Sequence, residues 1–377
     1  MTLTMESSAT ALPTALLGGL SPDAFMRRHW QKKPLLIRGA IPGFVPLVSR
    51  PELFALAARE TVESRLIVRK PAGWDLRHGP FNRLPPLKRP AWTLLVQGVD
   101  QHLQAAHELL QRFRFVPDAR LDDLMISWAS DGGGVGPHFD SYDVFLLQAS
   151  GQRLWRIGRQ TDLSLQPDVP LKILRHFEPE EEHLLGPGDM LYLPPRWAHD
   201  GVAVGGDCTT YSIGFRAPQR GGLAGELLQR MADDLEDETL YRDPRQAATD
   251  HPAAMPVALQ DFARDALQRL LADPRSLACA LGEVMTEPKP QVWFDEAQGD
   301  WRPGAVRLDR RTRMMYDEHH VFINGESLRA GGADARLMRT LADRRNLSAR
   351  EVARASADAQ AVLRDWFEAG WLRRADD

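Results

Sequence analysis

His138-Phe139-Asp140 closes a glycine-rich stretch, Gly132-Gly133-Gly134-Val135-Gly136-Pro137. On a strand, residues two apart share a face. His138 and Asp140 can then hold one ion together while Phe139 points away. His199 ends a second segment that begins Gly186-Pro187-Gly188-Asp189 and runs through Met190-Leu191-Tyr192-Leu193-Pro194-Pro195-Arg196-Trp197-Ala198. It reads as a turn, a short buried strand, a Pro-Pro turn and the start of the next strand. An H-x-D pair alone is weak evidence, since most arise by chance. Two imidazoles and one carboxylate together occupy one face of an octahedron and leave three positions open, the arrangement of non-haem Fe(II) oxygenases. Two open positions suit a keto acid and the third suits dioxygen. Of the eleven histidines, His176, His183, His319 and His320 are read as surface or satisfied core residues.

A keto acid also needs a cation for its distal carboxylate. Arg153, in Gly151-Gln152-Arg153-Leu154-Trp155, follows the metal segment and can offer a bidentate guanidinium. Arg156 competes, but it falls on the opposite face of that strand.

The elements that must position these groups are short apolar runs between about 121 and 216. They are Leu124–Trp128, Val144–Leu147, Leu154–Ile157, Met190–Leu193 and Thr209–Ile213. Most are bounded by Gly, Pro or Asp, a pattern that predicts an all-β sandwich or barrel. Upstream, residues 1–19 read as a mobile tail. Ser21-Pro22 reads as a helix start with Phe25 and Trp30 facing a core, and Leu35-Leu36-Ile37 as a buried strand. Residues 69–90, rich in Pro, Gly and basic groups, read as a solvated loop. Downstream of Pro218, Leu223, Leu227, Leu228, Met231 and Leu235 recur at helical spacing, as do Leu259, Phe262, Ala266, Leu267 and Leu270. The acidic run 233–238 reads as a solvated face. From about 276, Met314–Phe322, Asn324-Gly325 and Ser327-Leu328 predict a hairpin, followed by two helical stretches with a Ser348/Glu351 capping box before the second.

Bulk composition sets the class. The chain has 377 residues, 43% hydrophobic and 26% charged, so two or three globular domains are expected. A net charge of −4 argues against whole-chain nucleic-acid binding, and nine Arg against eight Asp or Glu in 331–377 argue against DNA binding by that segment. Two distant cysteines, Cys208 and Cys279, exclude a thiolate zinc cluster and suit a reducing compartment. No apolar run is long enough to span a bilayer, and the first 26 residues lack Lys and Arg. A cytoplasmic protein is expected, with no membrane partner.

The chain resembles the JmjC-type oxygenases of the cupin superfamily, and most of all the bacterial ribosomal oxygenases, which hydroxylate an arginine of a large-subunit ribosomal protein. The resemblance rests on Trp30, Lys33-Pro34-Leu35, the H-x-D segment and the distal histidine, and most specifically on residues 136–145, Gly-Pro-His-Phe-Asp-Ser-Tyr-Asp-Val-Phe, with Gln148 and Gly151. It implies an α+β fold: a double-stranded β-helix (jelly-roll, cupin, JmjC-type) core over 1–216, a helical dimerisation region over 217–275 and a winged-helix-like domain over 276–377. It implies Fe(II) on His138, Asp140 and His199, with 2-oxoglutarate on Arg153 aided by Ser127, and dioxygen as oxidant. Asp123, Met125, Tyr142 and Ser212 would form the substrate pocket, with a ribosomal protein as substrate and a homodimer as the assembly. The residues are compatible with this: Asp123, Met125 and Ser127 share a strand face, and a carboxylate suits a substrate guanidinium whose stem lies between Tyr142 and Met125.

Three rivals remain. One keeps the oxygenase chemistry but acts on another protein residue, by histidine hydroxylation or N-methyl removal. Another places a different metal reaction, isomerisation or oxygenation without a keto acid, on the same scaffold. The last is a cupin-type, ligand-sensing regulator.

Overall fold

The computed structural model describes residues 9–71, 73–233, 235–297 and 299–375. Residues 1–8 of the expected tail, Ala72 of the basic loop and Asp234 of the acidic run lie outside these. The chain divides into two compact units, one ending at Ala217 and the other beginning at Pro218.

The first unit runs α1 (Pro22–Arg28), β1 (Leu35–Ile37), α2 (Arg50–Ala57), β2 (Ser64–Lys70), β3 (Gly73–His78), β4 (Trp92–Val96), α3 (Gln104–Gln111), β5 (Leu121–Ala129), β6 (Val144–Gly158), β7 (Glu181–Leu185), β8 (Met190–Leu193) and β9 (Ala198–Phe215). These strands form one sheet in the order β1-β8-β6-β9-β5-β4-β2-β3, with β7 also on β6. Strand period 2 sorts its two faces. From β5, Leu124, Ile126 and Trp128 enter the main apolar core, as do Tyr211, Ile213 and Phe215 from β9. Asp123, Met125, Ser127, Thr210, Ser212 and Gly214 turn the other way and line a cavity. The helices cover the apolar face. Ser21 accepts from Ala24 N–H at 3.2 Å to start α1, and Phe25 is fully buried.

Several expectations are corrected. The segment read as a tail contains short 3-10 turns at Ala9–Ala11 and Ala15–Leu17, and Leu16 and Leu17 are buried in the core. Apolar anchoring outweighs the low local propensity there. The loop expected over 69–90 is in part a hairpin, β2–β3, because cross-strand pairing with β4 overrides local Gly and Pro signals. His138 and Asp140 do not lie on a regular strand. His138 makes a single bridge to His199, and the residues around it are irregular. The runs 144–147 and 154–157 belong to one long strand, β6, bent by register shifts between Gln148 and Gln152.

The second unit begins with α4 (Arg220–Asp233), α5 (Val257–Ala272) and α6 (Pro274–Thr286). The two expected helical patterns form α4 and α5, except that Leu235 lies beyond the end of α4, and α6 was not foreseen. β10 (Val306–Leu308), β11 (Met314–Tyr316), β12 (His320–Ile323), β13 (Glu326–Arg329), α7 (Gly332–Arg344), β14 (Asn346–Leu347), α8 (Ala349–Ala353), α9 (Ala357–Glu368) and β15 (Leu372–Arg374) follow. The expected hairpin is β12–β13, turning on Asn324 and Gly325, both at positive φ as a two-residue turn of this kind requires. Both bonds of the Ser348/Glu351 capping box are present.

Candidate active site

Three ligand-type side chains converge where β9 begins. Backbone N–H groups of His138 and His199 donate to each other's carbonyls at 3.0 and 2.8 Å, so the two residues are locked face to face. Arg196 N–H donates to Asp140 O at 2.7 Å, tying the acid to the turn before β9. Potential ligand atoms of His138, Asp140 and His199 all lie within 4.8 Å of one another. His199 Nε2 is 3.6 Å from Asp140 Oδ2.

The imidazoles are oriented by the backbone. His138 Nδ1 lies 2.8 Å from Gly136 O, and His199 Nδ1 lies 2.9 Å from Trp197 O. A carbonyl can only accept, so each Nδ1 carries a proton, and in the neutral ring the lone pair sits on Nε2. Burial, and then the neighbouring His138, push His199 down to about 4, against the opposing pull of Asp140. His199 is therefore neutral near pH 7, as a metal ligand must be.

The glycine at 136 has a steric cause. Its φ is +85°, and a Cβ would sit 2.7 Å from Trp74 Cζ2 and 2.9 Å from Ile173 Cδ1. Only glycine lets the segment before His138 pass between these two walls. The other end of the segment is pinned by Asp143, which is fully buried. Its carboxylate accepts from Tyr192 O–H at 2.7 Å, Gln31 Nε2 at 3.0 Å and Arg120 at 3.2 Å. Asp143 thus fixes where the metal segment enters β6.

The three residues open into a cavity of about 530 Å³, lined from β2, β3, β4, β5, β6 and β9. Arg153 enters it from β6 while remaining 3% exposed. One guanidinium nitrogen donates to Gly201 O at 3.2 Å. Its Nε and its other terminal nitrogen are buried without a partner. Unpaired buried donors are costly. Two of them on one planar fork, in a cavity beside a metal-type triad, fit a carboxylate. Arg156 instead bonds Glu182 at 2.7 Å on the outer face.

The remaining expected residues also reach the cavity: Ser127, Asp123, Met125, Tyr142 and Ser212. Ser127 Oγ donates to Thr210 O at 3.4 Å. Desolvation of the Tyr142 hydroxyl, followed by the Asp140 and Asp123 charges, pushes its phenol pKa upward, so it stays protonated. Asp123 is 2% exposed and accepts from Gln97 Nε2 at 2.7 Å and Gly98 N at 3.2 Å. Gln97 in turn accepts from Arg65 at 3.2 Å, which orients its amide so that the NH₂ faces Asp123. Arg65, Gln97, Leu76 and His78 were missed by sequence reasoning. The available signal was the alternation of Arg65, Ile67 and Arg69, hidden by the Pro- and Gly-rich stretch that follows. Asp200 was also missed. Burial raises its pKa, opposed by Arg156, His138, Arg69 and Arg153.

Comparison with known proteins finds relatives for both units. A JmjC domain is matched over residues 108–223 and a ROXA-like winged helix over residues 269–373. The chain is 35% identical over 323 residues to the ribosomal protein uL16 3-hydroxylase of Escherichia coli, covering 81% of this chain and 85% of that one. It is 35% identical over 230 residues to a probable ribosomal oxygenase of Haemophilus influenzae, covering 60% and 55%. In structure it is similar to the E. coli ribosomal oxygenase YcfD in complex with cobalt and 2-oxoglutarate, with TM-score 0.80, 30% identity and coverage of 93% and 97%.

Proposed function

Because this chain belongs to the JmjC-type ribosomal oxygenases, we propose that it hydroxylates an arginine side chain of a large-subunit ribosomal protein, using His138, Asp140 and His199 as iron ligands and Arg153 as the 2-oxoglutarate anchor. It is a 2-oxoglutarate-dependent dioxygenase with a cupin-type core, and its cofactors are Fe(II), 2-oxoglutarate and dioxygen. When bound, these supply an oxidant that places one oxygen atom in a substrate C–H bond and the other in succinate.

The chain's own residues orient and enclose that chemistry. The observation that carries the ligand reading is the convergence of two Nε2 lone pairs and one carboxylate in the cavity that also holds the unsatisfied Arg153 fork. Ser127 adds a hydroxyl to the same cavity. Asp123 offers a buried carboxylate for a substrate guanidinium, already held by Gln97 and Gly98. Tyr142 and Met125 flank the path of its aliphatic stem, and Ser212 sits across β5–β9 from Met125. A relative that acts on uL16 supports the same kind of substrate here.

The second part of the reading is a homodimer formed through 217–275, with 276–377 as a winged-helix-like domain. It is supported by α5, which buries no side chain within the chain, and by Val257, Leu267 and Leu271, each more than half exposed. Among the described residues, no helix is long and apolar enough to cross a membrane.

The deciding experiment is oxygen transfer. Protein loaded anaerobically with Fe(II) and 2-oxoglutarate is mixed with an arginine-containing ribosomal-protein fragment, then exposed to air. One added oxygen on the fragment with matching succinate supports the proposal; succinate without a mass gain removes the substrate assignment. Light scattering reads the assembly, and a monomer at micromolar concentration overturns the dimer.

A further inference from the structure

The chain as a whole is acidic, yet residues 65–91 hold seven Lys or Arg against the single carboxylate of Asp75. The fold gathers this excess. β2 and β3 pair with Arg69 opposite Trp74 and Lys70 opposite Gly73. The loop after β3 returns to that same end: Arg69 N–H donates to Ala91 O at 2.9 Å, which brings Lys88 and Arg89 alongside. Arg69 lies over the Trp74 ring at 5.6 Å. Arg69, Lys70, Arg77, Arg83, Lys88 and Arg89 are all exposed.

Asp75 offsets only part of the charge, at 3.3 Å from Lys70 and 3.9 Å from Arg77. None of the described residues forms an ion pair with Arg83, Lys88 or Arg89. Four prolines, Pro80, Pro85, Pro86 and Pro90, restrict the return loop. Phe81 is buried in the core and Leu84 packs against it. The cations are therefore held outward on a stiff base, with less ordering cost on binding than a free tail would carry.

This charged end adjoins the cavity. Ile67 and Leu76 line it, and the Arg69–Trp74 pair is the next one along the same face. Trp74 itself packs against Gly136, beside the H-x-D residues.

Clustered cations with few partners suit a polyanion. A lipid surface would call for apolar side chains among them, and Leu87 is the one exposed large apolar residue of 79–91. A ribosomal protein is itself cationic where it packs on RNA, so this face repels the free protein and attracts it when phosphates accompany it. We propose that the β2–β3 hairpin and its return loop bind RNA phosphates beside the substrate cavity, so that the enzyme engages its protein substrate in an RNA-bound state. The identity of that RNA rests on the ribosomal-protein reading; phosphate binding itself does not.

The test is fluorescence anisotropy of the full chain with a labelled RNA stem–loop. With about four phosphates engaged, log affinity should fall against log salt with a slope of roughly −3. The triple variant Arg83→Glu, Lys88→Glu, Arg89→Glu changes exposed loop residues outside the cavity. It should bind the RNA at least ~10-fold more weakly, the scale expected for reversing three phosphate contacts, while oxygenating a short arginine peptide at the parent rate. Unchanged RNA affinity in the variant, or a flat salt response, overturns the proposal. Equal binding to polyglutamate or to phosphatidylglycerol vesicles overturns it too, leaving a general anion surface. RNA binding without turnover of any ribosomal peptide would retain the phosphate site and remove the substrate reading.

Discussion

Replacing Arg153 with Met should have two effects of opposite sign. Without 2-oxoglutarate, Arg153 carries two buried donors with no partner. Each such donor costs about 1–3 kcal/mol. Methionine removes that cost and refills the space with a flexible apolar chain. The variant forfeits one bond to Gly201 O, about 1 kcal/mol. It also forfeits the contact with the Trp155 ring at 5.7 Å, about 0.5–1 kcal/mol. The balance lies between about zero and 4 kcal/mol in favour of the variant, and for a unit of this size each 1 kcal/mol raises the melting temperature by about 2–4 °C. Affinity for 2-oxoglutarate moves the other way. Two charge-assisted bonds are lost at about 1.5–3 kcal/mol each, so binding weakens on the order of 10²–10⁴-fold. Anaerobic calorimetry on Co(II)-loaded protein reads the affinity, and scanning calorimetry without ligand reads the stability. An unchanged 2-oxoglutarate affinity removes Arg153 from its role. A variant less stable than the parent without ligand refutes the argument from unsatisfied donors.

Asp140→Ala should abolish both turnover and tight Co(II) binding, measured by metal analysis after gel filtration; retained stoichiometric metal excludes Asp140 as a ligand. Asp123→Ala should raise the KM for an arginine substrate by about 30-fold or more, the scale of a lost buried charge pair, with the KM for 2-oxoglutarate unchanged; parallel changes in both would place Asp123 in the scaffold instead. Gly151→Ala should destabilise the chain by about 2–3 kcal/mol in urea, since φ is +62° and a Cβ would meet Asp207 O at 2.9 Å; a loss under about 0.5 kcal/mol, the range of neutral surface changes, contradicts the reading of this bend. Burial alone would raise Asp309, but hydrogen bonds from Arg311 and Arg373 hold it down to about 2. A depressed carboxylate stabilises the fold above its unfolded pKa of about 4 and loses that contribution as pH falls through about 2, a loss of about 2 kcal/mol. The stability gap between the parent and Asp309→Asn should therefore close between pH 4 and pH 2, and a gap constant over that window would refute the assignment.

The chemistry was largely legible because it is local. His138, Asp140 and His199, the three side chains that converge in the cavity, stand out by type and by the turn residues around them. The cavity face of β5 followed from strand alternation, which placed Asp123, Met125 and Ser127 together before any fold was known. The helix start at Ser21, the turn at Asn324-Gly325 and the capping box at Ser348 depend on contacts within four residues, which a sequence displays directly. The β2–β3 hairpin was not legible. Its Pro- and Gly-rich flanks look like loop, and its stability comes from β4, more than a dozen residues downstream.

Arg153 shows the division most clearly. On β6, even-numbered residues face the cavity at Val144 and Leu146, while odd-numbered ones face it at Arg153 and Trp155. A regular strand keeps one parity along its length, and would have turned Arg156 inward. The register shifts between Gln148 and Gln152, with Gly151 at positive φ, reverse the faces. By itself the sequence determined which residue types were present to hold a metal and a carboxylate, because those are properties of single side chains and their near neighbours. The sequence named Arg153 and set Arg156 on the opposite face, but only the tertiary structure decided that the face of Arg153 is the one turned into the cavity, because a bulge is a property of two paired strands, and β9 lies some fifty residues further along the chain.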